Sequence, residues 1–186
     1  MKANLSAIVA NFKKADALTV LQEAIVNSIQ ANATQIDIQI KYQDTLKNEG
    51  KQIDIWNIEE LTITDNGEGF TKENIKSFSE YRTQKKIKSG CKGIGRIAFL
   101  KIFKKVKIES FIESEKKQVT IDFNENFEGN GHYIKSESKS SVEKNKTTIT
   151  FREIKEKKNS FHSLGELKEK IIDHLLPLLY FSQLDW

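Results

Sequence analysis

The sequence predicts a two-layer α/β sandwich of the α+β kind: a mixed β-sheet with helices on one face. Three observations predict it. The N-terminal region carries a helical apolar period, with Leu18, Leu21, Ile25 and Ile29 in one stripe. Residues 35–41 then alternate strictly, Ile36, Ile38 and Ile40 against Gln35, Asp37, Gln39 and Lys41, which is a strand with one buried face. Beyond a further helical stretch at 96–103 the chain is mostly strand-like. Helices that share a chain with a run of strands bury their stripes against one sheet.

The elements follow in order. Residues 4–14 and 17–31 read as helices, and 35–41 as the first strand. Residues 42–52 are polar and contain a glycine, a loop composition. Residues 53–56 and 61–64 are the next strands. Residues 71–79 form a short helix, capped by Thr71 with Glu73 and Asn74 in its first turn. Residues 85–95 are basic and glycine-rich. Strands follow at 104–111, 118–123 and 147–154, with a shorter candidate at 132–135. Residues 164–179 are helical, broken or kinked at Pro177.

The 186 residues suffice for one domain with a full core, and no linker composition interrupts them, so a single domain over 1–186 is expected. The net charge of +4 is mild, and the lysines are spread, with local clusters at 85–92 and 144–158. That is the pattern of a solvated surface; nucleic-acid contact is compatible with it but not indicated. Cys91 is the lone cysteine, which excludes an intrachain disulfide and points to a reducing compartment. No apolar run matches a membrane span, and the first residues lack a signal-peptide core. A cytoplasmic protein with no membrane partner is expected. The apolar segment 175–181 near the end predicts a docking surface or a continuation in a longer protein.

Three clusters carry candidate chemistry. Glu23 and Asn27 are four residues apart on a helix, so they share a face. That face lies beside Val20, Ala24 and Ala31, opposite the Leu18 stripe, which implies partial burial; a solvated Glu and Asn is the plain alternative. In LTITDNGEGF, residues 61–70, Asp65 shares parity with Leu61 and Ile63 and so points inward, where a carboxylate needs donors. Gly67 and Gly69 leave room for close approach, though Asp-Asn-Gly is also ordinary turn chemistry. The third cluster, GCKGIGRIAFL, residues 90–100, sets Gly90, Gly93 and Gly95 before an apolar helix, where backbone amides suit an anion. It is neither a P-loop nor a dinucleotide fingerprint.

In this order and spacing the clusters resemble the N-, G1- and G2-boxes of the GHKL ATPase superfamily: gyrase B, heat-shock chaperone, histidine kinase and MutL. Glu23-x-x-x-Asn27 is similar to the ExxxN core of the N-box, Asp65-x-Gly67-x-Gly69 to the DxGxG box, and Gly90-x-x-Gly93-x-Gly95 to the glycine-rich box that ends the ATP lid. The lid would span residues 80–95, and its entry, YRTQKK, is similar to that of MutL-like members. KTTITF, residues 146–151, resembles the late strand GTxVxF, with Thr147 at the threonine and Lys146 replacing the glycine. The resemblance covers residues 11–151, about three quarters of the chain.

The resemblance implies the Bergerat fold and a histidine kinase-like, Mg²⁺-dependent ATP-binding module of a larger ATP-driven protein. Asp65 would accept from the adenine amino group, helped by Thr147 and a water, with Gly67 and Gly69 giving clearance. Asn27 would complete the shell of Mg²⁺. Gly93 and Gly95 would hold the phosphates, with Lys92 or Arg96 adding charge. Glu23 would polarise the attacking water. Lid closure and homodimerisation on ATP binding belong to the same expectation. Gyrase- and MutL-like members add a lysine from a transducer domain that the given sequence lacks, so slow or absent ATPase turnover is expected for this chain alone. The alternatives are a non-hydrolysing nucleotide sensor or scaffold and, less favoured, a protein histidine kinase. The kinase needs a phosphoacceptor histidine ahead of the N-box, whereas His132, His162 and His174 all follow the motifs.

Overall fold

The computed structural model describes residues 5–12, 15–42, 58–79, 95–141, 144–155 and 163–182. Its helices are α1 (Leu5–Asn11), α2 (Ala17–Gln30), α3 (Lys72–Ser79), α4 (Gly95–Ile102) and α5 (Leu164–Ser182). Its strands are β1 (Ile36–Tyr42), β2 (Ile58–Asp65), β3 (Phe103–Ile112), β4 (Lys117–Phe123), β5 (Ile134–Ser138) and β6 (Lys146–Ile154). They form one sheet in the order β1-β2-β6-β3-β4-β5.

Alternation decides the two faces. The register aligns Leu61, Phe151, Val106 and Phe123 in one row and Ile63, Ile149, Ile108 and Ile121 in the next. All eight are buried, and they join one core with Val20, Leu21 and Ala24 of α2 and Ile97, Phe99 and Leu100 of α4. Each buried Val, Leu, Ile or Phe side chain contributes about 1.5–3 kcal/mol relative to leaving it exposed. The opposite face carries Thr62, Thr64, Thr148, Thr150 and Lys107, half-buried or exposed. This is the two-layer α+β sandwich that the sequence predicts.

The strand sense departs from the sequence prediction. A mixed sheet is expected there, yet all five ladders among the described strands are antiparallel. Strict alternation with one polar face, as in residues 35–41, suits antiparallel pairing, whereas parallel strands covered on both faces read as continuous apolar runs.

Local chemistry fixes the ends of the elements. Asp16 caps α2: its Oδ1 accepts from Thr19 N at 2.7 Å, while Asp16 N donates back to Thr19 Oγ1 at 3.4 Å. A cap of this type is worth about 1 kcal/mol. Thr71 Oγ1 accepts from Asn74 N at 3.3 Å, the cap expected for α3. α3 is pinned to the sheet by Phe78, whose ring meets Phe70, Phe123 and Phe127 edge-on, with centroids 4.9–5.7 Å apart. α4 runs straight into β3 with no turn between them, one residue earlier than the sequence predicts. Lys155 makes this tolerable: its N–H donates to Ile102 O at 2.7 Å and its Nζ to Leu100 O at 2.6 Å, satisfying carbonyls left open at the helix end. α5 continues through Pro177 rather than stopping there. A proline removes one N–H from the ladder, and the turns on either side retain theirs. The expected strand at 53–56 lies outside the described residues.

Candidate functional site

The row that follows the two apolar rows is polar. Asp65 of β2 stands opposite Thr147 of β6, and Thr147 opposite Ser110 of β3. All three are buried on the helix-facing side, as their shared parity with Ile63, Ile149 and Ile108 requires. Ser28 of α2 is also buried and reaches down to them. The core is otherwise apolar, and these four are its buried polar side chains among the described residues.

The hydrogen bonds form two sets, one on Asp65 and one on Ser110. Ser28 Oγ donates to Asp65 Oδ2 at 2.8 Å, and Gly67 N donates to Asp65 Oδ1 at 2.9 Å. Ser110 Oγ and Thr147 Oγ1 are 2.9 Å apart. Phe70 N donates to Ser110 Oγ at 2.9 Å. An ionised carboxylate has about four acceptor sites, so two protein donors leave Asp65 with capacity for an incoming donor. A buried carboxylate with spare acceptor capacity beside a hydroxyl can select a ligand edge.

The loop after β2 closes over this row, and its glycines are required by contact. A Cβ on Gly67 would come within 2.6 Å of Ala31 O. Gly69 has φ +74°, and a Cβ there would come within 2.5 Å of Ser110 Oγ; both the conformation and the space demand glycine. The loop is stitched to the end of α2 and the start of β1. Glu68 N donates to Ala31 O at 2.8 Å. Asn66 Oδ1 accepts from both Thr34 N and Gln35 N at 2.9 Å.

Glu23 and Asn27 lie further along the same helix. Both are half-buried, while Val20 and Ala24 beside them are fully covered, so this face of α2 is packed rather than solvated. The buried stripe is Ala17, Val20, Leu21, Ala24, Ile25 and Ser28, rotated from the Leu18–Ile29 stripe of the sequence reading. Asn27 adjoins Ser28 in sequence and stands about 6 Å along the axis from Glu23. Among the described residues no hydrogen bond engages the Asn27 side-chain amide, so its oxygen is available. The Glu23 carboxyl lies directly against Gly95 at the start of α4, in the space a Cβ would need. Burial raises its pKa above the ordinary carboxylate value, and the His174 imidazole on α5 offsets part of that rise.

The structure thus brings Asp65, Gly67, Gly69 and Thr147 together, and places Glu23 with Gly95. Arg96 turns away to α3: its Nη1 donates to Ser77 O at 3.3 Å and its guanidinium lies 5.1 Å from the Phe78 ring centroid. Lys92, Gly93 and residues 80–94 of the expected lid lie outside the described residues. Ser28, Ser110 and Asn66 were not anticipated. Ser110 had a sequence signal, its parity with Val106, Ile108 and Ile112. Among the described residues there is no group of three His, Cys, Asp or Glu side chains able to hold a metal. No described helix is long and apolar enough to cross a membrane.

Comparison with known proteins points the same way. The family model described as histidine kinase-, DNA gyrase B-, and HSP90-like ATPase matches residues 16–160. No curated protein sequence matches the chain. Among solved structures, the ATPase region of Saccharomyces cerevisiae topoisomerase II bound to ICRF-187 (dexrazoxane) superposes with a TM-score of 0.52 at 12% identity, over 84% of this chain and 43% of that one. The ATPase and transducer domains of Balamuthia mandrillaris topoisomerase II give 0.52 at 15% identity, over 84% and 42%. The Aquifex aeolicus MutL ATPase domain complexed with ADP gives 0.47 at 15% identity, over 87% and 53%. The chain therefore spans less than half the length of the topoisomerase chains it resembles, and at these identities the likeness is one of fold.

Proposed function

The chain belongs to the histidine kinase-, DNA gyrase B- and HSP90-like ATPases, and from that premise we propose that it is the Mg²⁺-ATP-binding module of a larger ATP-driven protein, with the adenine base seated on Asp65. The observation that carries the assignment is the buried polar row. Asp65 accepts from Ser28 and Gly67 and keeps lone pairs for a third donor, next to the Thr147 hydroxyl and under a loop that only glycines allow. An exocyclic amino group is the ligand donor that fits there, and a base without it would leave the remaining lone pairs of the carboxylate without a donor.

Glu23 and Asn27 take the phosphate end. Magnesium is held by few protein oxygens together with phosphates and waters rather than by a protein cage. The uncommitted Asn27 amide and the lack of a three-residue metal cluster among the described residues fit that mode. When bound, the ion would screen the phosphate charge. Glu23 is the general base that orients and polarises the attacking water; its raised pKa brings it closer to the value that suits that role at neutral pH. Gly95, with Gly93 and Lys92, supplies the backbone and charge that follow the phosphates. Nucleotide-dependent dimerisation and a cytoplasmic setting complete the proposal.

The test is binding of Mg²⁺-ATP and ADP by calorimetry, wild type against Asp65→Asn. The amide keeps the shape but puts a donor where the base needs an acceptor. Loss of binding in a variant with an unchanged melting profile supports the assignment; wild-type affinity in that variant removes it.

A further inference from the structure

We propose that Gly95 is a positioning residue for the general base: the side chain it lacks leaves the space in which the Glu23 carboxyl is held. The inference rests on the general-base reading of Glu23 above and deepens it. A Cβ on Gly95 would lie 1.9 Å from Glu23 Oε2, 2.6 Å from Cδ and 3.3 Å from Cγ, and these are its three nearest atoms. The neighbour that excludes a side chain is therefore Glu23. The backbone supplies no second reason for glycine. Gly95 is the first residue of α4, whereas the glycines in the left-handed region among the described residues are Gly69 and Gly129. In helical backbone alanine is preferred to glycine.

The contact steers the carboxyl because the other end of the side chain is fixed. α2 packs against α4, and Val20 and Ala24 beside Glu23 are 0% exposed. The helix cannot retreat from a methyl group at position 95 without opening that core, so the flexible end of Glu23 yields instead. Its oxygen has to move from 1.9 Å to at least 3.0 Å from the new Cβ, a shift of more than 1 Å. A general base works within about 2.6–3.2 Å of the proton it takes. A misplacement of about 1 Å costs about a hundredfold in rate. A glycine kept only for phosphate clearance would behave differently: a methyl group there would obstruct the nucleotide and leave the Glu23 carboxyl of the free protein where it is.

The experiment is a ¹³C NMR titration of the Glu23 carboxyl without nucleotide, wild type against Gly95→Ala, with the signal identified by its loss in Glu23→Gln. In the wild type it should titrate above the ordinary carboxylate value of 4.5, because burial raises it while His174 on α5 offsets part of the rise. In Gly95→Ala the displaced carboxyl gains solvent, and its midpoint is expected to fall towards 4.5. An unmoved midpoint overturns the proposal. Single-turnover hydrolysis of Mg²⁺-ATP is the second readout. A rate about a hundredfold below wild type is expected for Gly95→Ala at saturating ATP, and a wild-type rate overturns the proposal. Where the chain alone turns over too slowly to follow, the titration decides. If Gly95→Ala does not fold, the wild type decides through its nuclear Overhauser spectrum. A cross-peak between the Glu23 γ protons and the Gly95 α protons is expected, and its absence overturns the proposal. Failure of the general-base reading itself would show separately, as undiminished turnover in Glu23→Gln.

Discussion

Thr147 stands directly opposite Asp65 across the β2–β6 ladder, and Ser28 reaches the same carboxylate from the helix layer at 2.8 Å. One side chain therefore ties together a strand, the glycine loop and α2. Elsewhere α2 meets the sheet through apolar side chains, which tolerate small shifts. Here they meet through a charged acceptor with defined directions, which fixes the height of α2 over the sheet.

Ser28→Ala should accordingly act on both stability and binding. It leaves Asp65 Oδ2 without its helix donor, and hydrogen bonds to charged groups are worth about 1.5–3 kcal/mol. A domain of this size moves by about 2–4 °C for each kcal/mol. The expected outcome is a lower urea midpoint with weaker ATP binding. A variant with an unchanged midpoint would show that the bond contributes nothing.

Much of this site is legible in the sequence, because strand parity is a strict rule. Asp65 shares a face with Leu61 and Ile63, and Thr147 with Ile149 and Phe151, and both are found buried there. The same rule applies to Ser110, but a serine among Val106, Ile108 and Ile112 has no motif to single it out. Ser28 is harder still. Its importance lies in meeting Asp65, a contact 37 residues away in the chain, and helix periodicity cannot say what stands across from a helix. Asn66 reads as turn filler, whereas its side chain holds the lead into β1. The order of the strands in the sheet is hidden for the same reason: it is set by which strands meet, and composition is silent on that.

Gly95 should reverse its preference according to Glu23. In the wild type a Cβ at Gly95 collides with the Glu23 carboxyl, so Gly95→Ala should destabilise. With Glu23→Ala the obstacle is gone. Alanine is the better helix former, so Gly95→Ala should then be neutral or slightly stabilising. A double-mutant cycle by chemical denaturation should give a coupling of about 0.5–3 kcal/mol. Additive effects would mean that the two residues do not share the space.

Glu60 should give the fold an acid-sensitive component remote from the site. Lys41 and Arg152 flank it across the ladders, and their hydrogen bonds hold its carboxyl below the usual carboxylate value of 4.5. A depressed folded-state pKa stabilises above the unfolded value, and that stabilisation is lost as pH falls through the folded value. Glu60→Gln should therefore lower the melting temperature at pH 7 and converge with wild type well below pH 4.5. A constant gap across that range would assign the effect to packing.

Glu23 should behave in the opposite sense. Burial raises its folded-state pKa above the ordinary carboxylate value of 4.5, with His174 opposing. The charged form is then disfavoured by folding, so the penalty is present above the folded pKa and disappears as pH falls below the unfolded one. Glu23→Gln removes a charge the fold disfavours. It should melt higher than wild type at pH 7 and match it near pH 4. Partial solvent contact keeps the gain small, less than about 4 °C, the shift that 1 kcal/mol brings at this size. The same Glu23→Gln protein should retain Mg²⁺-ATP affinity and lose whatever turnover the wild type shows, since an amide still fills the space against Gly95 but cannot take a proton from water. If binding fell together with turnover, Glu23 would be contributing to the ground-state site, and its part in activating water would have to be given up.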